Sequence, residues 1–523
     1  MANSRRPHAL VALVAIATHA TALRGGFIWL DHAHIEDGLG VAAPAGWLSL
    51  FTQGFAGTGY YRPLMALSLS VDAALGQGAW LYHATTVFWH AAAAVLTSMA
   101  ASALGLSRRS ALAAGILFAV HPLSSLVAGA IAFRSEAMIA VALLALVVLH
   151  RRCHVAAGLA VLLGALTKET ALVLAPMVVV ALELDASSPR PPLRDRIRLW
   201  ATEGAALGVA VGLRLAYAPP WRAAWAPLSP SEALGTRLAA LAKSAVRVFI
   251  PVDVTICDSF PVTPWASATV LLGVAVAACV AYLAYKRRGP ALLLAVALLP
   301  SMQLAPIMRW WSPHYLYVPF AFAAMLIAER AMERSASVQR VAAGAVALLA
   351  AMSFVSDLRF EDDATLWTEE VRAEPSCREG HFYLGEVARE QHRPEAAAAS
   401  YERALAVTPG MLSYVDRVPV LQNLGVVRME QERFADARAA FRTALAIVSD
   451  DGERRQLLHN LATAELRAGN PEEAARLLED EVARSDALAA SIFVRARAVE
   501  TLGRSDEARA LMRRLQLRRA STR

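Results

Sequence analysis

Apolar runs separated by short polar segments fill the first two thirds of this chain, up to about residue 357. Runs of about 17–25 apolar residues are long enough to cross a bilayer as helices, and shorter ones can complete such a bundle. The pattern predicts eleven spans, at about residues 8–23, 80–104, 110–130, 136–150, 155–167, 170–184, 199–216, 266–285, 290–308, 315–331 and 338–356. Residues 1–356 are therefore predicted to form an all-α, polytopic membrane domain.

Basic residues cluster in every second loop between these runs, as expected for cytoplasmic loops. The clusters are Arg5/Arg6, Arg108/Arg109, Arg151/Arg152, Arg190/Arg194/Arg196/Arg198, Lys286/Arg287/Arg288 and Arg330/Arg334/Arg340. All of them face one side only if the chain breaks at Thr167–Thr170, so a break is predicted there. Residues 8–23 after Arg5/Arg6 also fit a signal peptide, but an uncleaved first helix is favoured because more membrane spans follow.

This orientation predicts a multi-pass protein of the inner (cell) membrane with a cytoplasmic N-terminus. The outer side then carries two long loops, at 24–79 and 217–265. Within the second loop, residues 232–249 repeat apolar positions at helical spacing, which indicates either an amphipathic helix on the membrane surface or a packed helix. The segment from Asp357 onward also falls on the periplasmic (extracytoplasmic) side.

The chain after residue 357 is polar, helical in pattern and repetitive. Leu384-Gly385 is followed by Ala397, Tyr401 and Ala404, and Leu424-Gly425 is followed at the same offsets by Ala437, Phe441 and Ala444. Small residues at these places let two helices pack closely, while the aromatic side chain fills the gap to the next unit. The pattern resembles the tetratricopeptide repeat. It predicts that residues 357–523 form a repeat superhelix whose curved surface binds extended peptide.

Composition narrows the class of protein further. The hydrophobic fraction is 56% and the mean hydropathy is +0.41, which excludes an ordinary soluble protein of 523 residues. The net charge of +7 arises from the basic membrane loops, so a bilayer rather than a nucleic acid is the expected partner. Of the four cysteines, Cys257 and Cys377 both fall on the outer side, and the sequence leaves their pairing open. The Ala, Arg and Leu content is typical of a GC-rich bacterial genome.

Ionisable residues gather in the predicted outer loops, although such residues are costly near a membrane. A carboxylate surrounded by several cations suits one kind of chemistry, in which the cations hold a phosphate and the carboxylate takes a proton from an attacking hydroxyl. The residues concerned are Asp31, Glu36, Asp37, Arg62, Arg134, Glu136, Lys168, Glu169, Arg309 and His314.

Five segments, in order, resemble the transmembrane and tetratricopeptide-repeat protein O-mannosyltransferases, which belong to the GT-C class of membrane glycosyltransferases. They are FIWLDHAHI (27–35), YYRPL (60–64), HPLSSLVAGAIAFRSE (121–136), TKET (167–170) and HYLYVP (314–319). The resemblance implies a GT-C-type membrane domain followed by the repeats. It also implies transfer of mannose or another hexose from a polyprenyl-phosphate donor to a hydroxyl acceptor, such as protein Ser or Thr held by the repeats, with inversion.

The resemblance also implies roles for individual residues. Asp31 matches the second residue of the family's Asp-Asp pair and is the expected base. Leu30 occupies the first position, so Glu36 or Asp37 is a candidate substitute. The expected ligands of the donor phosphate are Arg62, Arg134, Lys168, Arg309 and His314, the last standing where the family often has Arg. The expected supporting residues are Tyr61, Glu136, Glu169, Tyr315 and Tyr317.

Other interpretations of the same residues stay open at this stage. Arg134 with Glu136, or Lys168 with Glu169, would also serve as structural ion pairs. His32 and His34 with Asp31 offer a candidate site for a divalent metal, but their spacing is too short to predict a cofactor. As a whole, the chain could instead be a non-catalytic, membrane-anchored repeat scaffold for envelope assembly, or a transporter of lipid or polysaccharide. A transporter would place polar residues through the midplane of the membrane rather than at its outer edge.

Overall fold

A computed structural model describes residues 2–185, 191–218, 228–252, 254–257, 259–287, 289–303 and 309–521. The chain forms two compact units, Met1–Glu374 with Gly410–Leu412, and Pro375–Pro409 with Ser413–Arg523. Some predicted features lie outside the described residues, namely 219–227, 253 and 258 in the second outer loop, 304–308 at the end of the ninth span, and Arg190 and Arg288 in the basic loops.

The first unit is built mainly from α-helices. Its α-helices are α1 (Ala2–Thr18), α2 (Pro63–Leu75), α3 (Ala79–Ala103), α4 (Arg108–Val120), α5 (Pro122–Gly129), α6 (Arg134–Leu149), α7 (His154–Thr167), α8 (Thr170–Leu184), α9 (Leu193–Tyr217), α10 (Pro230–Phe249), α11 (Ala268–Arg287), α12 (Pro290–Leu298), α13 (Tyr317–Met332), α14 (Ala336–Ser356) and α15 (Asp363–Ala373). The 3-10 turns are Ala20–Arg24, Pro44–Phe51, Ile131–Phe133, Pro300–Met302, Pro313–Leu316 and Asp357–Phe360, and His32–Glu36 is a π-helical turn. Strand β1 (Phe260–Pro261) pairs antiparallel with β2 (Met411–Leu412).

The predicted all-α fold is confirmed, and several helices of the first unit have the length and apolarity of membrane spans. Among the described residues, six helices qualify, or seven if the bent pair α4–α5 counts as one span. Five further apolar helices are shorter. Each of the eleven predicted spans falls on one of these apolar elements. The fifth short helix, α2, was not predicted.

Two interruptions of the apolar runs have clear structural causes, the predicted break at Thr167–Thr170 and a bend within the span predicted at 110–130. Helix α7 ends at Thr167 and α8 begins at Thr170, so Lys168 and Glu169 form the turn between them. The run predicted at 110–130 is bent by 59° between α4 and α5. The bend lies at His121, because the ring of Pro122 cannot continue a helix and the His121 side chain accepts a hydrogen bond from the Leu123 amide at 3.2 Å.

The first outer loop, predicted at 24–79, is more ordered than the sequence indicated. It contains α2, which begins at Pro63, where a proline favours the first turn of a helix. Met65 and Leu69 of α2 pack in one apolar cluster with Tyr82 of α3. Helix α2 escaped prediction because its 13 residues include the charged Asp72 and lie among polar loop residues.

The segment 357–374 packs with the first unit, whereas the sequence changes character at 357. The Gly26 amide donates to the Glu361 carbonyl at 3.0 Å, and Arg359 donates to the Val254 carbonyl at 2.7 Å. The Glu370 carboxylate accepts from the Ile256 amide at 2.7 Å. These contacts extend the first compact unit to Glu374. Because the contacting residues lie far apart in the chain, the local sequence pattern gives no indication of them.

The second unit consists of paired helices. They are α16 (Arg378–Glu390), α17 (Pro394–Leu405), α18 (Arg417–Glu430), α19 (Phe434–Ile447), α20 (Asp451–Arg467), α21 (Pro471–Leu477), α22 (Glu479–Ala483), α23 (Ala489–Thr501) and α24 (Ser505–Ser521). Tyr401 and Phe441 are fully buried. A Cβ atom added to Gly385 would lie 2.4 Å from the Tyr401 ring, and one added to Gly425 would lie 2.5 Å from the Phe441 ring. Each glycine therefore lets the two helices of its pair pack closely, as predicted. Each aromatic side chain also joins a cluster with the next pair, Tyr401 with Val420 and Phe441 with Leu457.

Candidate active site

Asp31 is buried at the start of the π-helical turn, with only 1% of its surface exposed. Its Oδ2 atom accepts a hydrogen bond from the Ile28 amide at 3.3 Å, and its Oδ1 atom has no hydrogen-bond partner among the described residues. Burial raises the pKa of Asp31 to about 7, although the Ile28 amide and the positive charge of Arg134 act in the opposite direction. A carboxylate with a free oxygen and a pKa near neutrality is well suited to accept a proton.

The other two predicted carboxylates, Glu36 and Asp37, are exposed. The Glu36 carboxylate bonds Nδ1 of His32, and Asp363 bonds Nε2 of the same ring at 2.6 Å. The hydrogen bond to Asp363 is the main reason why the pKa of His32 is raised to about 9. The turn thus directs Asp31 inward and Glu36 and Asp37 outward, a difference that their spacing did not reveal.

Asp363 supports the backbone beside Asp31 and was not predicted from the sequence. Its Oδ1 atom accepts from the Trp29 amide at 2.9 Å and from the Trp367 indole at 3.0 Å. Trp29 has a φ of 54°, a left-handed conformation that is uncommon for a bulky residue. Two hydrogen bonds on one carboxylate oxygen therefore help to hold the strained turn that leads into Asp31.

The candidate metal ligands do not converge. His34 is buried, and burial lowers its pKa to about 4. Its ring packs on Phe55 with centroids 4.9 Å apart. Across the described ranges, no group of three or more His, Cys, Asp or Glu side chains is arranged to hold a metal ion.

Arg134 lies in the first turn of α6 and is completely buried. It forms an ion pair with Asp72 of α2 at 2.6 Å. Its guanidinium also donates to the hydroxyls of Thr86 and Ser68, both at 3.0 Å, and to the Tyr82 carbonyl at 2.7 Å. Three of the five N–H groups of the arginine are thus used in hydrogen bonds, and the ion pair with Asp72 adds a fourth contact. Asp72, the main partner, lies on the helix that the sequence missed.

Glu136, two residues after Arg134 in the same first turn of α6, joins two of the predicted phosphate ligands. Lys168 donates a hydrogen bond to Oε1 of Glu136, and Nε2 of His314 lies 3.6 Å from the same oxygen. The other ring nitrogen of His314 bonds the Ser312 hydroxyl at 2.6 Å. The structure thus brings together Glu136, Lys168 and His314, although the first and last of them are 178 positions apart in the chain.

Arg62 and Glu169 form a bidentate ion pair, with N–O distances of 2.9 and 2.5 Å. Burial raises the pKa of Glu169, but the charge and hydrogen bonds of Arg62 outweigh it and bring the pKa down to about 2. The guanidinium of Arg62 also lies over the Tyr60 ring, 4.1 Å from its centroid. Glu136 lies close enough to act electrostatically on Arg62, so this pair borders the Lys168 pair.

Arg309 links the cations to the neighbourhood of Asp31. Its guanidinium lies over the Trp29 ring at 5.2 Å. Phe133 packs against Trp29 at 5.2 Å on one side and stacks on His314 at 4.2 Å on the other. The positive charges of Lys168, Arg309 and Arg62 all act on His314. Arg309 and His314 therefore contact one aromatic cluster, and Trp29 of that cluster precedes Asp31 by two residues.

The predicted supporting residues divide into two groups. Glu136 and Glu169 contact the cations, as described above. The Tyr315 hydroxyl donates to the Arg309 carbonyl at 3.1 Å and so helps to position that arginine. Tyr61 donates instead to the Phe51 carbonyl at 2.9 Å, and the Tyr317 hydroxyl bonds His90 at 2.7 Å inside the helix bundle. Tyr61 and Tyr317 therefore have structural partners away from the cations.

Comparison with known proteins first defines the class of the C-terminal region. Tetratricopeptide-repeat family models match residues 417–487 and residues 348–411 and 459–522. The region thus consists of tetratricopeptide repeats, a fold that commonly presents a curved surface to other proteins. No curated protein sequence is similar to the chain.

Three solved structures are similar to parts of the chain. The repeats are similar to MamA, at 16% identity over 30% of this chain and 86% of that one, with a TM-score of 0.27. They are also similar to pilF of Pseudomonas aeruginosa, at 22% identity over 28% of this chain and 64% of that one, with a TM-score of 0.24. The arabinofuranosyltransferase AftD from mycobacteria matches 69% of this chain and 27% of its own length, at 19% identity and a TM-score of 0.38.

Proposed function

We propose that this protein is a membrane glycosyltransferase that moves a hexose, mannose or another, from a polyprenyl-phosphate donor to a hydroxyl acceptor, with inversion. The observation that carries the proposal is the buried Asp31, with its free Oδ1 atom, two residues beyond Trp29. The Trp29 ring lies under the guanidinium of Arg309 and packs through Phe133 to His314, on which the charges of Lys168 and Arg62 also act. A base and a group of cations in one neighbourhood match the two requirements of direct transfer from a sugar phosphate.

The proposed reaction is a single displacement. The acceptor oxygen attacks the anomeric carbon of the sugar while Asp31 takes the hydroxyl proton. The bond between that carbon and the phosphate oxygen breaks, and the polyprenyl phosphate leaves with the electron pair. Arg62, Lys168 and Arg309 stabilise the charge that develops on the leaving oxygen.

The glutamate partners of two of these cations fit this assignment. Lys168 carries three N–H donors and Arg62 carries five, so each retains donors beyond those given to Glu136 and Glu169. When no donor is bound, the glutamates hold the cations in place and limit the free-energy cost of burying these positive charges. We assign Arg134 to positioning, because Asp72 and three other groups already occupy its guanidinium.

The repeats are proposed to hold the acceptor, a protein or peptide with Ser or Thr. The arrangement of basic loops would place the site and the repeats on the extracytoplasmic side of the inner membrane. The alternative of a non-catalytic scaffold draws support from the repeats alone. A scaffold has no need for a buried carboxylate with an unbonded oxygen, which costs stability.

The direct test is to incubate the purified full-length protein with radiolabelled polyprenyl-phosphate hexoses and a Ser/Thr-rich peptide. We expect label from at least one hexose to appear on the peptide, together with an equal amount of free polyprenyl phosphate. Heat-denatured protein is the control. Consumption of none of the donors, by protein that remains folded and monodisperse, would favour the scaffold.

The pH dependence of transfer should report the ionisation of Asp31. Because its pKa is about 7 and only the ionised form accepts a proton, the rate should fall about tenfold per pH unit below pH 7 and level off above it. Initial rates between pH 5 and 9 would show this profile. Donor affinity, measured over the same range, should change much less. A rate that stays constant down to pH 5 would rule out a base with this pKa.

A further inference from the structure

A second group of buried charges lies at the far end of α6. His150 directly follows this helix and is 2% exposed. Its Nδ1 atom lies 2.7 Å from Oε1 of Glu203 in α9, and its Nε2 atom lies 3.1 Å from Oε1 of Glu183 in α8. Because α6 has 16 residues, about 24 Å of helix separates this group from Arg134. The group is therefore distinct from the candidate active site.

Arg196 adds a cation to the group. It binds the second oxygen of Glu183 through two nitrogens, at 2.8 and 2.5 Å. Its guanidinium also lies over the Trp200 ring, 4.8 Å from the centroid. The Arg196 side chain keeps 21% of its surface exposed, so it remains accessible to a ligand. The predicted orientation puts this end of the helices on the cytoplasmic side.

Glu203 has an unsatisfied oxygen in this group. The residue is only 4% exposed, and its Oε2 atom has no hydrogen-bond partner within the described part of the chain. A buried carboxylate oxygen without a partner is costly, so such atoms usually indicate a missing donor. A bound molecule with an N–H or O–H group can supply that donor.

Glu203, Glu183 and Arg196 are among the residues that line a cavity of about 520 Å³. This size is typical of sites for small molecules, which span about 300–1,000 Å³. The remainder of its wall is apolar and includes Val161, Pro176, Val180 and Leu207. Helix α9 forms one side of the cavity. Only 17% of the apolar 18-residue stretch of this helix is buried within the protein. The cavity is therefore open to the region where lipid tails would lie.

We propose that this cavity binds one phospholipid with an ethanolamine headgroup. The ammonium group would donate to Oε2 of Glu203, and the phosphate would contact Arg196. One acyl chain would lie along the apolar wall between α8 and α9. The cavity offers an acceptor and a cation side by side, which complements a zwitterionic headgroup. A phosphatidylglycerol headgroup lacks the cation that the Glu203 carboxylate would attract.

The first test blocks the apolar part of the cavity in the full-length protein. Gly204 lines the cavity, and a Cβ atom there would meet nothing within 4 Å, so Gly204→Leu should fill the space without strain. Delipidated protein is incubated with phosphatidylethanolamine, and the retained lipid is measured by native mass spectrometry. We expect at least about tenfold less bound lipid for this variant. Gly212→Leu, on the same helix and also in open space, is the matched control and should bind normally.

The second test concerns the headgroup. Glu203→Gln removes the charge that attracts the ammonium group, and affinity for phosphatidylethanolamine should fall about tenfold or more. Asp195→Asn makes the same chemical change on the exposed side of α9 and should have no effect. The unmodified protein should prefer phosphatidylethanolamine to phosphatidylglycerol, and soluble glycerophosphoethanolamine should not compete.

Three results would overturn the proposal. Equal retention of both lipids would indicate annular lipid only. Competition by the soluble headgroup would indicate a site for a small polar molecule. Normal binding by Gly204→Leu would show that the lipid lies elsewhere, and this outcome remains informative even if Glu203→Gln fails to fold.

Discussion

Replacement of Asp31 with asparagine is expected to lower the rate of sugar transfer by about 10²–10⁴-fold, the usual contribution of a general base. Asparagine keeps the shape of the side chain but cannot take a proton. Donor affinity should be retained, because Arg62, Lys168 and Arg309 are unchanged. It should even rise slightly, since a negative charge near the phosphate is removed.

Turnover and donor affinity should be measured on the same preparations, together with Asp37→Asn and Glu36→Gln. Both of these residues are exposed, and we expect rates close to that of the unmodified protein. Near-normal transfer by Asp31→Asn, with a large loss for either of the other two, would move the catalytic role to the outer face of the turn. Loss of donor binding by Asp31→Asn would instead indicate a structural role.

Replacement of Arg134 with methionine is expected to destabilise the protein by about 3–5 kcal/mol, because the Asp72 carboxylate would be left buried without its partner. Asp72 is only 2% exposed, so water cannot replace the guanidinium. The change should also shift the pH profile of transfer to higher pH, since the Arg134 charge lowers the pKa of Asp31.

Unfolding in detergent, followed by circular dichroism, would measure the first effect. The double variant Arg134→Met, Asp72→Leu removes both charges and should recover most of the stability. Arg330→Met breaks an exposed pair with Glu333 and should cost no more than about 1 kcal/mol. A similar small cost for Arg134→Met would show that the buried pair is not a determinant of stability.

The helices were largely predictable because their signals are local. Apolar runs located the spans, the Thr167–Thr170 break followed from the alternation of basic loops, and the spacing of Gly385 and Tyr401 identified the repeat. Helix α2 escaped prediction because the charged Asp72 interrupts its apolar run and the helix lies among loop residues. In the same way, the exposure of Glu36 and Asp37 depends on a π-helical turn, which no spacing rule indicates.

The candidate site was predictable as a set of residues but not as a set of pairs. The sequence placed Arg62, Lys168, Arg309 and His314 at one end of the helices, and the structure brings them close together. The sequence did not indicate that Asp72 pairs with Arg134 or that Asp363 pairs with His32, because each pair joins positions far apart in the chain. Whether a charged residue binds a ligand or another side chain is decided by such distant partners.

The hydrogen bonds of Asp363 to Trp29 and His32 also bear on how proteins of this kind could evolve. Recombination that exchanged the repeats at residue 357, where the sequence changes character, would separate Asp31 from the side chain that holds its turn. A crossover beyond Glu374 would leave that turn intact. On the proposed function, new acceptor specificities could then be acquired by exchanging repeats alone, with the proposed base Asp31 inherited unchanged.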